Sequence, residues 1–231
     1  MKKKLVVLTG AGMSQESGIR TFRDMGGLWE EYDISEVATP EAWERNPELV
    51  MQFYNDRRKQ LYECSPNAGH LGLAELEQDF DVQIITQNVD DLHERAGSSK
   101  VLHLHGELKK VRSTRYPDLI YELDGWELKF GDLCEKGHQL RPHIVWFGEE
   151  VPAMEQAVPM VEQADIFVVV GTSLNVYPAA GLMHYTHKDT PVFVVDPERP
   201  PVSMKKVQFI EEKAGLGVRL LHERLQNFRN F

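Results

Sequence analysis

The sequence predicts an α/β fold in which a doubly wound parallel sheet carries a small inserted module. Short apolar runs near 5–8, 81–86 and 166–170 lack the polar alternation of a half-exposed strand, as is typical of parallel strands buried on both faces. Further strands are predicted at 101–104 and 192–196, with helical segments between them. A glycine turn directly follows the first run, where open α/β sheets commonly bind ligands.

Composition and length limit the class of protein. The 231 residues are 42% hydrophobic and 27% charged, which predicts one globular domain over 1–231. The formal net charge of −10 argues against nucleic-acid binding, and no apolar stretch approaches the roughly 20 residues of a membrane span. Two cysteines give no sign of an oxidising compartment, so we expect a cytoplasmic protein. None of these features specifies an oligomeric state.

Two segments interrupt the sheet pattern within this domain. The large, sheet-forming part is predicted at 1–34, 66–107 and 143–231. A small helical segment is expected at 35–65 and a small module at 108–142, where no long periodic segment occurs.

The glycine turn at Gly10-Ala11-Gly12 is suited to phosphate, because backbone N–H groups and the start of the following helix can face the anion. Gln15 stands where the usual dinucleotide fingerprint has its third glycine, so a turn without a ligand is an equal alternative. The continuation is more specific: GAGMSQESGIRTFR resembles the NAD-binding signature GAGxSxxSGIPxFR of the sirtuins, the NAD-dependent protein deacylases. Arg20 departs from it at the usual proline.

The resemblance implies that this segment and the loop after it contact NAD. Gly26 and Gly27 indicate a mobile loop that could fold over the cofactor, and an ordinary surface connection is the alternative. The implied cofactor contacts are Gly10, Ala11, Gly12, Ser14, Gly18, Ile19, Thr21, Phe22, Arg23 and Trp29.

A polar cluster follows the second apolar run, at the end of a parallel strand where ligands bind. For Asp90 alone, a helix cap is the commoner role. TQNVDDLH also resembles the sirtuin segment TQNxDxLH, which favours function. The resemblance implies that Asn88 and Asp90 act in catalysis and that NAD is contacted near its nicotinamide ribose by Gln87, Asn88, Val89 and Asp90.

Alternation between Val101 and Glu107 predicts His103 and His105 on one face of a strand. Two histidines at this spacing fit metal ligation, a satisfied polar face or general-base catalysis. LHGEL resembles the sirtuin motif whose histidine is the catalytic base, which implies that role and a cofactor contact for His105. We interpret His103 as structural.

Segments near the C-terminus extend the resemblance. GTSLNVYPAAG resembles GTSLxVxPA, which implies cofactor contacts at Gly171, Thr172, Ser173 and Asn175. Asp196 ends a predicted strand, where it can meet an adenosine ribose hydroxyl together with Pro197 and Glu198; a helix cap is the alternative. The segment 213–217 resembles the family segment that lies against adenine, with Ala214 in contact. A last helix is predicted at 218–228.

RPHIVWFGE resembles the sirtuin stretch that pairs with an extended substrate peptide as an added strand. It implies substrate contacts at Val145, Trp146, Phe147 and Gly148, and the resemblance as a whole implies a further one at Val176. An aromatic core position is the alternative for Trp146.

The helix near 49–63 carries Tyr54 and Arg57 on one face, because they are three residues apart. A phenol and a planar guanidinium can bind one small anion, although a solvated charged face is the commoner arrangement. Arg57 lies on the apolar stripe with Phe53 and Leu61, whereas the opposite side is expected to carry Asn55, Arg58 and Lys59. The Y-x-x-R spacing resembles the pair by which one sirtuin class recognises succinyl- and malonyl-lysine.

Sirtuins usually hold a structural zinc between two cysteine pairs in the small module. Here the soft ligands are Cys134 and His138, too few for a closed tetrahedral site. We therefore expect no zinc, a site that borrows Asp132 or Glu135 being the minor alternative. Apolar support is expected instead from Leu119, Ile120, Tyr121, Leu123, Trp126, Leu128 and Phe130.

Taken as a whole, the resemblance implies a lysine deacylase that uses NAD and acts on acylated lysine side chains of proteins or peptides. Succinyl and malonyl groups are expected substrates besides acetyl, with nicotinamide and O-acyl-ADP-ribose as products. Two alternatives stay open, namely mono-ADP-ribosyl transfer and a catalytically idle NAD-binding module.

Overall fold

The protein is described by a computed structural model over residues 2–19, 32–200 and 207–228. The strands of the described residues are β1 (Lys4–Thr9), β2 (Asp81–Thr86), β3 (Val101–His103), β4 (Gly106–Ser113), β5 (Ile120–Glu122), β6 (Leu140–Ile144), β7 (Ile166–Val170), β8 (Val192–Val195) and β9 (Val207–Ile210). The helices are α1 (Ile34–Val37), α2 (Pro40–Arg45), α3 (Pro47–Glu63), α4 (Ala68–Glu75), α5 (Leu92–Arg95), α6 (Met154–Glu162) and α7 (Ala214–Leu225). Short 3-10 turns lie at Ala11–Met13, Gln15–Ser17, Leu76–Gln78, Ala179–Tyr185 and Gln226–Phe228.

The larger sheet has six strands in the order β3-β2-β1-β7-β8-β9, and all neighbours are parallel. The predicted parallel α/β architecture is confirmed, and each predicted strand occurs within a residue or two of its expected bounds. The edge strand β9 was not predicted. Since the strand order reverses on either side of β1, the exits of β1, β2 and β7 lie together at the carboxyl end of the sheet.

Successive side chains of β1 enter two different cores, one on each face of the sheet. Leu5 packs in one cluster with Leu73 of α4 and Leu221 of α7. Val6 packs in the other cluster with Val161 of α6. All are fully buried, which explains why the strand sequence lacks polar alternation.

A second, three-stranded antiparallel sheet of order β5-β4-β6 occupies the small module and was not predicted. Leu128 is buried there beside Met51 of α3 and Val111 of β4, and Tyr121 and Leu123 pack against this cluster. The prediction that Ile120, Trp126 and Phe130 stabilise the module by apolar packing is wrong, because all three are exposed.

The last helix begins at Ala214 rather than at Val218, so the segment expected to lie against adenine forms its first turn. Within the described ranges no helix is long and apolar enough to cross a membrane.

Candidate active site

The glycine turn after β1 is held against the exit of β7. The Gly10 N–H donates to the Val170 carbonyl at 3.1 Å, and the Gly12 N–H donates to the Gly171 carbonyl at 2.9 Å. A Cβ on Gly10 would lie 2.6 Å from Cβ of Thr172, and one on Gly12 would lie 2.8 Å from Cα of Gly171. Both positions therefore require glycine because Gly171 and Thr172 approach them closely.

The chain beyond this turn differs from the predicted helix. Two 3-10 turns, Ala11–Met13 and Gln15–Ser17, replace it, and Gly18 ends the second with a φ of +90°. The Ala11 N–H has no acceptor among the described residues, so it is the turn donor that remains for an anion. Glu16, which sequence reasoning missed, accepts from the Gly215 N–H at 2.7 Å and ties this segment to the start of α7.

Three predicted site residues meet at one buried point beyond β1 and β2. The Asn88 amide donates to the Gly10 carbonyl at 3.0 Å and to Ser14 Oγ at 3.1 Å. The Ser14 hydroxyl donates to Asp90 Oδ2 at 3.0 Å, and Asp90 Oδ1 accepts from the Leu92 N–H at 3.2 Å. Burial raises the pKa of Asp90, although its hydrogen bond from Ser14 opposes the shift. Such a buried polar group can fix a polar ligand in one orientation.

His105 lies just beyond β3, because this strand ends at His103 and does not continue through His105 as predicted. Its ring has a defined proton arrangement. Its Nδ1 is 3.0 Å from the Gln87 carbonyl oxygen, which can only accept, so Nδ1 carries the proton and Nε2 keeps a lone pair. Burial lowers the pKa of His105. The Gln87 side chain donates to Thr172 Oγ1 at 3.2 Å and so joins the exits of β2 and β7. A neutral imidazole with an accepting Nε2 is suited to a general base.

A buried histidine pair beneath this site was missed by sequence reasoning. The rings of His70 and His93 meet edge to face at 4.8 Å, and His93 Nε2 lies 3.1 Å from Thr9 Oγ1. Burial lowers the pKa of His70 to about 4 and that of His93 well below its ordinary value. The sequence signal that could have indicated a polar cluster here is the threonine at the end of each of two apolar strands. The Thr9 hydroxyl donates to Thr86 Oγ1 at 2.8 Å.

Tyr54 and Arg57 lie close together on α3, and their joint binding of an anion stays a prediction. Tyr54 is 1% exposed, and its oxygen accepts from the Trp146 indole N–H at 3.1 Å. The Arg57 guanidinium carbon lies 5.9 Å from the Tyr54 ring centroid and 5.6 Å from that of Phe53. Burial raises the pKa of Tyr54 to about 12 and lowers that of Arg57. Ile19 and Val89 pack against the same cluster.

Arg58 was expected on the polar side of α3, and that prediction is wrong. The side chain is fully buried and donates to the Leu108 carbonyl at 2.6 Å, to the Trp126 carbonyl at 2.9 Å and to Asn55 Oδ1. The small module covers this side of the helix, so periodicity alone misassigned it. Burial lowers the pKa of Arg58 to about 10.

The segment expected to bind substrate follows β6. Trp146 is buried against Trp43, with ring centroids 5.8 Å apart, so it has the core position that the alternative described. Val145 is half-buried and Phe147 and Gly148 are exposed. The N–H groups of Val145 and Phe147 already donate within the chain, at 2.9 and 3.0 Å.

The remaining predicted cofactor residues lie at the exits of β7 and β8. Thr172 Oγ1 accepts from the Leu174 N–H at 3.2 Å, and Asp196 Oδ1 accepts from the Glu198 N–H at 2.9 Å. Ala214 is buried at the start of α7. Ser173 is half-buried, whereas the exposed members of the set are Asn175, Val176, Pro197 and Glu198. Outside the described residues lie Arg20, Thr21, Phe22, Arg23, Gly26, Gly27 and Trp29.

The side chains of the small module do not fit a zinc ion. The Cys134 thiol donates to Ser113 Oγ at 3.4 Å, Glu135 accepts from the Tyr121 hydroxyl at 2.7 Å, and Asp132 accepts from the Lys129 N–H at 2.8 Å. Over the described part of the chain, no group of three or more His, Cys, Asp and Glu side chains converges. The absence of a bound zinc ion stays a prediction.

Comparison with known proteins gives concordant matches. The family model described as Sir2 family matches residues 10–178. An NAD-dependent protein deacylase of Bacteroides thetaiotaomicron is 57% identical over 231 residues, covering 96% of this chain and 98% of the relative. One of Helicobacter pylori is 55% identical over 215 residues, covering 92% and 91%. A solved complex of a Sir2 homologue with NAD is 39% identical at a TM-score of 0.89, covering 99% of this chain and 91% of that one.

Proposed function

The chain belongs to the Sir2 family, and we propose that it is an NAD-dependent protein deacylase that removes acyl groups from lysine side chains. The observation that carries the proposal is the ring of His105. Its Nδ1 donates to the carbonyl of Gln87, the residue before the buried Asn88, so Nε2 is left as a base. Relatives named as deacylases and a homologue solved with NAD support the assignment.

The residues around the glycine turn fit NAD. The Ala11 N–H is available to a phosphate, and the absence of side chains at Gly10 and Gly12 lets the turn pack against β7. Asn88, Asp90 and Ser14 would hold the nicotinamide ribose, and Thr172 and Asp196 would contact other parts of the dinucleotide. When bound, NAD supplies a ribose carbon that accepts the acyl oxygen as nicotinamide leaves.

His105 moves the proton in this proposal. Its Nε2 takes a proton from a ribose hydroxyl, and the Nδ1–H bond to Gln87 holds the ring in the tautomer that can do so. Asn88 and Asp90 orient the ribose and a water molecule beside it. The products are free lysine, nicotinamide and O-acyl-ADP-ribose.

For the acyl group, we propose succinyl and malonyl as substrates besides acetyl. The indole of Trp146 is a donor only, so Tyr54 accepts from it and keeps its own hydroxyl proton for a ligand. In the described residues no acceptor takes that proton, and the Tyr54 side chain is almost fully buried. Arg57 adds a guanidinium in a partly apolar setting, where a carboxylate is bound through charge-assisted hydrogen bonds.

The test incubates the protein with NAD and peptides that carry acetyl-, succinyl- or malonyl-lysine, and measures nicotinamide and deacylated peptide. Arg57→Met should lower kcat/KM for the succinyl peptide by about 10- to 100-fold, mainly through KM, with a smaller loss on the acetyl peptide. Lys59→Met, an exposed cation on the same helix, is the matched control. Equal losses on both peptides would make Arg57 structural and leave simple deacetylation.

The same assay separates the other activities. Nicotinamide release with ADP-ribose label on protein and no deacylated peptide would indicate transfer. NAD binding without nicotinamide release would indicate an idle module.

A further inference from the structure

His103, at the end of β3, has both ring nitrogens against acceptors. Its Nδ1 lies 3.1 Å from the Asn88 carbonyl oxygen, and its Nε2 lies 2.8 Å from Glu94 Oε1 on α5. The side chain is 8% exposed. A carbonyl and an ionised carboxylate can only accept hydrogen bonds, so both ring nitrogens donate and the ring is an imidazolium.

Charged groups around the ring favour this form. Burial opposes the charge, but the hydrogen bond and negative charge of Glu94, helped by Glu107 of β4, raise the pKa of His103 above its ordinary value. Asp90 in the loop after β2 is a further nearby acid, while His93 of α5, kept neutral by burial, adds no opposing charge.

The bonded carbonyl belongs to the site itself. The Asn88 side-chain amide donates hydrogen bonds to the Gly10 carbonyl and to Ser14 Oγ. The Asn88 backbone carbonyl accepts a hydrogen bond from His103. The positive ring also favours the ionised form of Asp90. A neutral ring at 103 can donate to only one of its two acceptors, so the bridge between Glu94 and the Asn88 backbone carbonyl opens. A side chain without a donor would release that carbonyl altogether, and either change removes the positive charge near Asp90.

We propose that His103 is a positioning residue, an imidazolium that bridges Glu94 and the Asn88 carbonyl and holds the segment 88–90 in the geometry that NAD binding requires. The proposal rests on the proposed function for its effect on catalysis. His103 itself touches neither substrate nor cofactor in it. If so, kcat/KM should depend on the protonation of His103 as well as on that of His105.

The first readout does not require catalysis. NMR titration of the ring signals, assigned with His103→Asn, should show His103 titrating above about 6.5 in the wild type and at lower pH in Glu94→Gln. Glu162→Gln, an exposed glutamate at the end of α6, is the matched control and should leave the His103 titration unchanged. A wild-type His103 that titrates at or below about 6.5 would overturn the proposal.

The second readout is thermal unfolding. Because the pKa of His103 is raised in the folded protein, its stabilisation is present below about 6.5 and is lost as pH rises through the folded pKa. The melting temperature of the wild type should therefore exceed that of Glu94→Gln near neutral pH, and the two should converge at alkaline pH. A difference that is constant with pH would contradict the charged bridge.

The third readout is kcat/KM for NAD with saturating acetyl peptide, followed over about pH 5.5 to 9.5. His103→Leu should lose about 10- to 100-fold, and His103→Asn should recover part of it, because its amide can still donate to the Asn88 carbonyl. In Glu94→Gln the alkaline limb should move to lower pH, while the acid limb from His105 stays. Superimposable profiles in wild type and Glu94→Gln would overturn the positioning role, whereas an inactive wild type would instead refute the proposed function.

Discussion

The replacement Arg58→Met tests how α3, the helix that carries Tyr54 and Arg57, is attached to the small module. Arg58 is fully buried, and its Nε donates to the Leu108 carbonyl at 2.6 Å. Leu108 is itself buried and lies where the pairing of β4 with β6 is irregular, between Gly106 and Val111. Methionine fills much of the same space and donates no hydrogen bond, so this carbonyl would lose its donor in a dry setting.

The expected loss of stability in Arg58→Met depends on which hydrogen-bond acceptors are left without a donor. A buried acceptor left without a partner costs about 1–3 kcal/mol of the free energy of unfolding. Trp126 is 38% exposed, so water can replace the donor at its carbonyl, and Asn55 keeps its bond from the Leu128 N–H at 2.9 Å. Removing a buried cation offsets part of the loss. For a chain of this length, the melting temperature should fall by about 2–12 °C.

The assay compares thermal unfolding of Arg58→Met with that of Lys59→Met. Lys59 is exposed, with its ammonium 5.6 Å from the Trp126 ring, a contact that contributes about 0.5–1 kcal/mol at such sites. The Arg58 variant should therefore melt at a clearly lower temperature than its neighbour. Equal melting temperatures in the two variants would refute the argument that buried hydrogen bonds, rather than charge on this helix, hold the module.

Three further predictions concern the proposed base and the metal. His105→Ala should retain NAD binding by calorimetry and lose about 10²- to 10⁴-fold in deacylation, and near-wild-type turnover would contradict the assignment. Because burial lowers the pKa of His105, the acid limb of kcat/KM should lie below about pH 6.5, and a limb above it would show that another group titrates. Elemental analysis should find no stoichiometric zinc, and a chelator should leave the melting temperature unchanged, since no metal binding is coupled to folding; one zinc per chain would contradict this.

The parts of the fold that sequence could predict are those where one physical signal dominates. The unbroken apolar run of β7 occurs because every residue in it is fully buried between two helical layers. β9 lies at the edge of the sheet with only Ile210 buried, so its four residues carry no comparable signal. β5 has no buried residue at all, which is why the sheet of the small module could not be predicted from periodicity.

The candidate site likewise contains residues that the sequence predicted and residues that it did not. Ser14 follows β1 whereas Asn88 and Asp90 follow β2, and their two motifs predicted that both segments contact one cofactor at the carboxyl end of the sheet. The buried side chains of Arg58 and His103 carry no such signal, because a polar residue is buried only where tertiary neighbours supply its hydrogen bonds. Those neighbours, the Leu108 carbonyl and Glu94, come from other elements and are not visible in local spacing.

The hydrogen bonds of Leu108 explain why two adjacent arginines should give different results. Its carbonyl accepts from Arg58 of α3, while its N–H donates to the Val89 carbonyl at 2.8 Å, between Asn88 and Asp90. One residue of β4 therefore connects α3, the helix of Tyr54 and Arg57, to the segment 88–90. A displacement along this path moves the pocket relative to the base for every acyl group alike, so Arg58→Met should leave the ratio of succinyl to acetyl turnover unchanged. Arg57→Met should lower succinyl turnover more than acetyl turnover, because only the succinyl group carries a carboxylate, and the ratio is therefore the quantity that separates the two roles.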